Sequence, residues 1–286
     1  MIDHQIDAWI DHPLDHPVGR LIGRLVFLLL CLGCAAACAD NPRVSIVIDD
    51  VGFQWQLDQR AMALDRPVAI AIIPEGPLAG YLARQAEQQG RELWVHLPMA
   101  GLHHDNCQSG LTCLDAGWSA PTMRDHLLKQ LAMVPGAIGI NNHQGSEFTS
   151  DADAVARLVA AIGLINQSRL RPLIVMDSRT VASSQLEYIA SSGGLMTLRR
   201  KVFLDHSDDP DDLLHAWRQF IALAHRQGTA IAIAHPREAT LDFLELAIGE
   251  LIAEGIDLVP PSALVEPPAE PDHAPITREP ARAYPP

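Results

Sequence analysis

The 286-residue sequence has few basic and few aromatic residues, and each shortage excludes a class of function. Lys and Arg total 21 against 35 Asp and Glu, which gives a net charge of −14. A nucleic-acid backbone and an anionic lipid surface both require a basic face, so this balance argues against either partner. Aromatic residues make up only 5%, too few for a sugar cleft of many stacked rings. Five Trp leave room for a few such contacts.

Two nucleotide-binding motifs are also missing. No G-x-G-x-x-G follows the first predicted strand, and G-x-x-x-x-G-K-[ST] does not occur. Because these loops hold phosphates on backbone N–H groups, the sequence gives no support for a nucleotide ligand. With 48% hydrophobic and 20% charged residues, the chain has instead the composition of a folded domain with a sizeable core.

The N-terminal residues 1–39 are predicted to be an extension plus a signal peptide. Two Arg precede an apolar run at 25–32, and small residues follow up to Ala39, which is the order found in secretory leaders. We therefore expect cleavage near Ala39 and a periplasmic or secreted protein. A lipoprotein through Cys34 or Cys38, or a retained membrane anchor, is less favoured because the apolar run is short and the lipobox is poor.

The two ends of the chain also define the predicted domain. Only Cys107 and Cys113 remain of the five cysteines once the leader is removed. In an oxidising compartment we favour a disulfide between them over metal binding or free thiols. Nine of the last 27 residues are Pro, which predicts a disordered or extended tail at 261–286. The folded part is predicted to be one domain at 40–260.

Short apolar runs alternate with amphipathic stretches throughout this domain. The runs are continuously apolar, as strands buried on both faces are. They cover residues 44–48, 68–73, 93–95, 137–140, 173–176, 202–204, 230–234 and 256–259. Seven or eight strand–helix units in a domain of this size predict an α/β fold, a closed or nearly closed (β/α) barrel. An open doubly wound sheet is the alternative.

Acidic and imidazole side chains recur directly after these runs, where (β/α) barrels carry their active sites. They are Asp49 and Asp50 after the first run, His96 after the third, His143 after the fourth, Asp177 with Arg179 after the fifth, and His235 after the seventh. One carboxylate of an adjacent pair can bind a metal while the other acts as a base. Two imidazoles then complete a three-ligand site suited to Zn²⁺ and to hydrolysis of an ester or amide by a metal-activated water.

Five short motifs make the chain resemble the divergent polysaccharide deacetylase family of the polysaccharide deacetylase superfamily. They are VSIVIDDVG (44–52), GRELWVHLPM (90–99), GINNHQGS (139–146), MDSRT (176–180) and AIAIAHP (230–236). The resemblance spans about residues 43–260. It implies a distorted (β/α) barrel of the polysaccharide deacetylase type and metal-dependent removal of acetyl groups from amino sugars.

The resemblance also implies a ligand set for a divalent metal, with Zn²⁺ preferred. Asp50 and His96 correspond to metal ligands of the family. Ordinary members of the superfamily carry a second His four residues after the first, where this sequence has Ala100. His143 is therefore expected to replace it, because it follows the next strand.

The remaining roles are carried over in the same way. Asp49 is expected to be the catalytic base, and His235 the general acid that protonates the leaving amine. Asp177 is expected to orient and charge-balance His235. Arg179 is expected to neutralise Asp49 or to bind substrate.

The leading interpretation is thus an exported hydrolase that acts on C–N bonds other than peptide bonds in a carbohydrate polymer. The missing second His and the absence of a clear R-x-P-Y segment favour an alternative, a catalytically impaired envelope protein that keeps the barrel for glycan or protein binding. A third hypothesis is a glycosidase that uses Asp49 and Asp177. It leaves His96 and His143 without a role.

Overall fold

A computed structural model describes residues 40–101, 107, 110–207 and 209–265. The predicted leader and residues 266–286 of the predicted tail lie outside the described residues. The strands are β1 (Arg43–Val51), β2 (Ala69–Ile72), β3 (Leu93–Met99), β4 (Gly139–Gln144), β5 (Ile174–Asp177), β6 (Thr197–Arg199), β7 (Val202–Phe203), β8 (Thr229–Ala234) and β9 (Asp257–Leu258). The helices are α1 (Trp55–Ala63), α2 (Ala79–Gln89), α3 (Ala120–Met133), α4 (Ala152–Asn166), α5 (Leu186–Ser192), α6 (Pro210–Gln227), α7 (Glu238–Ala247) and α8 (Glu250–Ala253).

The strands form one parallel sheet in the order β6-β5-β4-β3-β2-β1-β8-β7. β9 pairs with the first two residues of β1, Arg43 and Val44, on the edge that β2 leaves free. Strand–helix alternation with parallel pairing is what the continuous apolar runs predict.

One segment links the two ends of this order. β6 pairs with β5, β7 pairs with β8, and only Arg200 and Lys201 separate β6 from β7. Residues 197–203 therefore run in one direction and bond first to one end of the sheet and then to the other, which closes a distorted barrel with seven strand positions. The predicted barrel is confirmed. The sequence missed β6, because its three residues contain only one buried apolar side chain, Leu198.

Alternate side chains of the strands fill the barrel interior. Val47, Trp94, Ile174, Ile231 and their inward neighbours pack as one cluster, while the residues between them pack against the helices in a larger cluster. This separation follows from the two-residue period of a strand. The inward positions nearest the carboxyl ends are polar and form the site described below.

The chain continues past the predicted domain boundary at residue 260. Pro261–Leu264 forms a 3-10 helix, and Leu264 and Val265 pack against the interior cluster. A Pro in the first turn of a helix removes no hydrogen bond, so these residues close one end of the barrel despite the Pro-rich composition that predicted a tail.

The loop after β3 returns to the end of that strand. Leu114 bridges to Met99 and exchanges backbone hydrogen bonds with Pro98 and Ala100. Cys107 and Cys113 within this loop form a disulfide, as the sequence predicted. Among the residues that the structure describes, no helix is both long and apolar enough to cross a bilayer.

Gly139 provides a test of the barrel interior. A Cβ atom at Gly139 would lie 2.4 Å from the Trp94 ring and 2.5 Å from the Ile174 carbonyl oxygen, and the backbone cannot retreat. We expect Gly139→Ala to lower the free energy of unfolding by about 2 kcal/mol or more, measured by urea denaturation.

Gly163 is the matched control for this substitution. It lies within α4, and a Cβ atom there meets nothing within 4 Å. Gly163→Ala should therefore raise the free energy of unfolding by about 0.5–1 kcal/mol, because Ala is the better helix former. Equal stabilities for the two variants would contradict the packing described for β4.

Candidate metal centre

A bulge near the end of β1 turns two adjacent carboxylates into the barrel mouth. Val47 and Asp49 lie on the inward face, and alternation would turn Asp50 outward. The pairing of β1 with β2 instead shifts register between Ile48 and Val51, and Asp50 has a φ of 57°. Such an irregularity re-aims a side chain, so both Asp49 and Asp50 line the same cavity.

Two histidines from neighbouring strands meet the second carboxylate. Asp50 Oδ1 lies 2.8 Å from His143 Nδ1 and 3.1 Å from His96 Nε2, and the two imidazole rings are 4.9 Å apart. Both histidines lie inside strands rather than after them. The apolar runs end at 95 and 140 because the inward positions become polar, while the ladder continues to Met99 and Gln144.

These three side chains fit a divalent metal. Their candidate ligand atoms all lie within 4.8 Å of one another, and bonds of about 2.0–2.2 Å to one ion bring ligand atoms this close. His143 Nε2 is buried without a hydrogen-bond partner among the described residues. One carboxylate and two imidazoles form a donor set typical of zinc sites that keep a position open.

Position 100 does not contribute to this group. Ala100 packs against the helix-side core, and its N–H donates to the Leu114 carbonyl. The side chain at this position is therefore held away from the cavity, and the second imidazole comes from β4 instead.

Asn141 connects the metal group to the first carboxylate. Its Nδ2 donates to Asp49 Oδ1 at 2.7 Å, and its Oδ1 lies 2.9 Å from His96 Nδ1. An amide oxygen only accepts, so Nδ1 of His96 carries the proton and Nε2 faces Asp50. Such a partner fixes the ring and its tautomer. Sequence reasoning assigned Asn141 no role, although it precedes His143 by two residues on the same strand face.

The two carboxylates differ in protonation behaviour. Burial raises the pKa of Asp49, although the charges of His96 and His235 oppose this. Burial also acts on Asp50, but hydrogen bonds with His143 and His96 outweigh it and hold the pKa of Asp50 well below its usual range. Burial lowers the pKa of His96, yet the Asp49 charge and the Asp50 hydrogen bond outweigh it and raise that pKa to about 9. One carboxylate can therefore accept a proton while its neighbour stays ionised.

The partner of His235 is Asp205. Asp205 Oδ1 lies 2.9 Å from His235 Nδ1, and its Oδ2 accepts from the His235 backbone N–H and from Thr240 Oγ1. Burial lowers the pKa of His235, but the hydrogen bond with Asp205 outweighs it and the net pKa is raised. His235 Nε2 faces the metal group, 3.8 Å from Asp50 Oδ2.

The structure does not give Asp177 the contact with His235 that its predicted role requires. Asp177 accepts hydrogen bonds from the Arg179 N–H and the Ser184 hydroxyl, both at 2.8 Å. These bonds fix the loop between β5 and α5. β5 is separated from β8 in the barrel by the β6–β7 segment, so Asp177 is not the residue beside His235.

Arg179 does not have the predicted contact with Asp49. The Arg179 guanidinium donates to the Ala182 carbonyl within its own loop. Burial lowers the pKa of Arg200, although the charges of Asp177 and Asp49 oppose this, and its guanidinium donates to the backbone carbonyls of Ser178 and Arg179. Arg200 lies over the Phe203 ring at 4.8 Å. It was missed because it lies in the connection after the unpredicted strand β6.

A cavity of about 530 Å³ opens above these groups. The acidic and imidazole side chains form one part of its lining, and Ser146, Ser178, Thr180 and Phe203 form another. Hydroxyl groups and one ring around a charged centre suit a polar ligand that carries some apolar surface.

Residues 46–265 match the family model described as divergent polysaccharide deacetylase. The chain belongs to the divergent polysaccharide deacetylase family. An uncharacterized protein of Haemophilus influenzae is 35% identical over 217 residues, which cover 76% of this chain and 74% of that protein. The uncharacterized protein YibQ of Escherichia coli K12 is 32% identical over 226 residues, which cover 79% of this chain and 68% of that protein.

A solved structure agrees with this fold. An uncharacterized protein from Agrobacterium tumefaciens C58 superposes with a TM-score of 0.73 at 23% identity, over 80% of this chain and 91% of that one. At this identity the likeness concerns the fold alone.

The surroundings of His235 give a prediction that distinguishes Asp205 from Asp177. In metal-free protein, Asp205→Asn should lower the pKa of His235, because the anion that stabilises the imidazolium is lost. The matched variant Asp177→Asn should leave that pKa unchanged. Histidine NMR titration measures both. A drop in the Asp177→Asn variant alone would restore the role that the sequence predicted.

Proposed function

We propose that this protein is an exported, metal-dependent hydrolase that removes acetyl groups from an amino-sugar polymer, and that its metal is Zn²⁺. The convergence of Asp50, His96 and His143 with a second carboxylate and a third imidazole carries the proposal. A metal-binding group beside one proton acceptor and one proton donor is the equipment that hydrolysis of an amide needs.

Asp50, His96 and His143 would hold the ion in this mechanism. A bound divalent ion supplies Lewis-acid polarisation of the acetyl carbonyl and makes water more acidic. Asn141 keeps His96 Nε2 turned toward Asp50, and the low pKa of Asp50 keeps that ligand anionic.

Asp49 takes the proton of the attacking water. Its raised pKa makes it a better proton acceptor than an exposed carboxylate, and Asn141 holds it in place. The water oxygen bonds to the acetyl carbon, and the C–N bond then breaks. His235, kept protonated by Asp205, donates a proton to the leaving nitrogen, which gives acetate and a free amine.

Export is part of the proposal. The basic, apolar and small-residue order before Ala39 supports a leader, and the disulfide between Cys107 and Cys113 is compatible with an oxidising compartment. We propose a periplasmic or secreted location with cleavage near Ala39, and a carbohydrate polymer as the substrate there.

The metal and the chemistry are tested with separate variants. Asp50→Ala and His143→Ala should each weaken Zn²⁺ affinity by at least about 100-fold in chelator competition, because each removes a ligand. Asp49→Asn should keep the metal and lower acetate release from an N-acetylglucosamine oligomer by about 10²–10⁴-fold. His215→Ala, an exposed His on α6, is the control and should change neither.

Two outcomes would contradict this assignment. Full zinc content in Asp50→Ala or His143→Ala would show that the replaced residue is not a zinc ligand. Zinc-loaded wild-type protein that binds glycan but releases no acetate would favour the impaired envelope protein, an alternative that the Ala at position 100 supports.

Export is tested on the full 286-residue chain in a Gram-negative host. We expect the periplasmic fraction to contain a chain that begins at Asp40, identified by N-terminal sequencing. Replacing Arg20 and Arg24 by Glu should keep the precursor in the cytoplasm, because leaders require a positive N-terminal region. A periplasmic chain that still carries residues 1–39 would contradict cleavage.

A further inference from the structure

Three exposed aromatic side chains lie in the segments that follow β1 and β2 at the barrel mouth. Phe53, Trp55 and Tyr81 are 39%, 50% and 46% exposed, and the Trp55 and Tyr81 rings are 5.2 Å apart at an angle of 49°. We call these three residues the aromatic platform. Aromatic residues are scarce in this chain, so a contacting pair at the surface, with a third exposed ring two residues before Trp55, indicates a binding role rather than packing.

The platform is close to the metal group along the chain. Phe53 and Trp55 follow Asp50 by three and five residues, so the Cα atoms of Asp50 and Trp55 are at most about 18 Å apart. The segment begins at Gly52, which leaves β1 at the same end as the two carboxylates. A ligand in the cavity above Asp50 that extends past the end of β1 therefore reaches the platform.

Two glycines bring Tyr81 to this segment. Gly52 has a φ of 134°, and a Cβ atom at Gly76 would lie 2.7 Å from the Gly52 carbonyl oxygen. That carbonyl accepts a hydrogen bond from the Leu78 N–H at 3.0 Å. The loops after β1 and β2 are thus held in backbone contact, and α1 and α2 start side by side with Trp55 and Tyr81 facing each other.

Several side chains around the platform are amides, and the exposed Arg84 lies one turn after Tyr81 on α2. Gln54 and Gln56 flank Trp55 and are exposed. Gln59 and Gln85 join α1 to α2 through two amide hydrogen bonds of 2.9 and 3.2 Å. Ring faces bordered by amide donors and acceptors match a ligand that has both apolar C–H faces and hydroxyl groups.

We propose that the aromatic platform binds sugar units of the polymer adjacent to the unit in the cavity. The substrate class rests on the proposed function. A cavity of about 530 Å³ has the size that encloses one small ligand, so a polymer must continue over the surface. The C–H faces of a pyranose ring carry partial positive charge and stack on the negative faces of Trp55 and Tyr81.

A protein partner is less compatible with this surface. A stable interface buries about 800 Å² on each partner, with 20–30 residues on each side. Three rings and a border of amides supply the centre of such an interface but not its extent. A short stretch of glycan requires no more than these residues.

The test measures binding and turnover separately. The probes are a soluble hexamer of β-1,4-linked N-acetylglucosamine and insoluble peptidoglycan. Trp55→Ala and Tyr81→Ala should each weaken binding by about fivefold, and the double variant more. Trp55→Phe should recover part of the loss, because it restores a ring. Tyr188→Ala removes a ring that is 72% exposed on α5, and this matched control should bind like the wild type.

Kinetics then separate this inference from the proposed function. On the hexamer, the platform variants should raise KM and leave kcat unchanged, and on the N-acetylglucosamine monomer they should change neither. If acetate is never released, the proposed function fails, but the platform stands wherever the variants lose binding that Tyr188→Ala keeps. The inference is wrong if wild type and double variant bind equally, or if neither probe binds the wild type.

Discussion

The contact of His96 and His143 with one carboxylate oxygen of Asp50 is the interaction on which the site depends. It exists only because Asp50 adopts a left-handed conformation at a register shift in β1. A regular strand would direct adjacent side chains to opposite faces, so only one of two successive carboxylates could enter the barrel. A non-glycine residue at positive φ is strained, and such strain persists where the surrounding structure fixes it. Here the two imidazoles fix it.

The surrounding polar groups follow from that contact. Carboxylates buried at a barrel mouth are unfavourable unless cations or donors compensate them. The Asn141 amide donates a hydrogen bond to Asp49, and the charges of His96 and His235 act on the same carboxylate. His96 also lies beside Asp50. Asp205 in turn is hydrogen-bonded to His235 and favours its protonated form. The environments of Asp49 and Asp50 therefore move their pKa values in opposite directions although the residues are adjacent.

The parts of this arrangement that depend on local pattern could be predicted from the sequence. Continuous apolar runs located β1, β2, β5 and β8 closely, and the order of polar residues after them indicated Asp49, Asp50, His96, His143 and His235. The partners of these residues could not be predicted. Asp177 and Asp205 both follow predicted strands, and only the pairing of β7 with β8 brings Asp205 beside His235. β6 has only three residues, too few to show the two-residue period of a strand. The sequence therefore does not indicate Arg200, which follows β6.

The small number of aromatic residues has a different meaning once their positions are known. Composition argues against a deep cleft of many stacked rings. Among the described residues, Trp94 fills the barrel interior and Trp217 packs with Phe220 and Phe243 on the helix side. Rings used for packing cannot contact a ligand. Those left exposed at the mouth are few but adjacent, since close backbone contact between the first two strand–loop junctions places them together. An open surface of this kind suits the long substrate proposed above, which would place its reacting group in the charged cavity beside it.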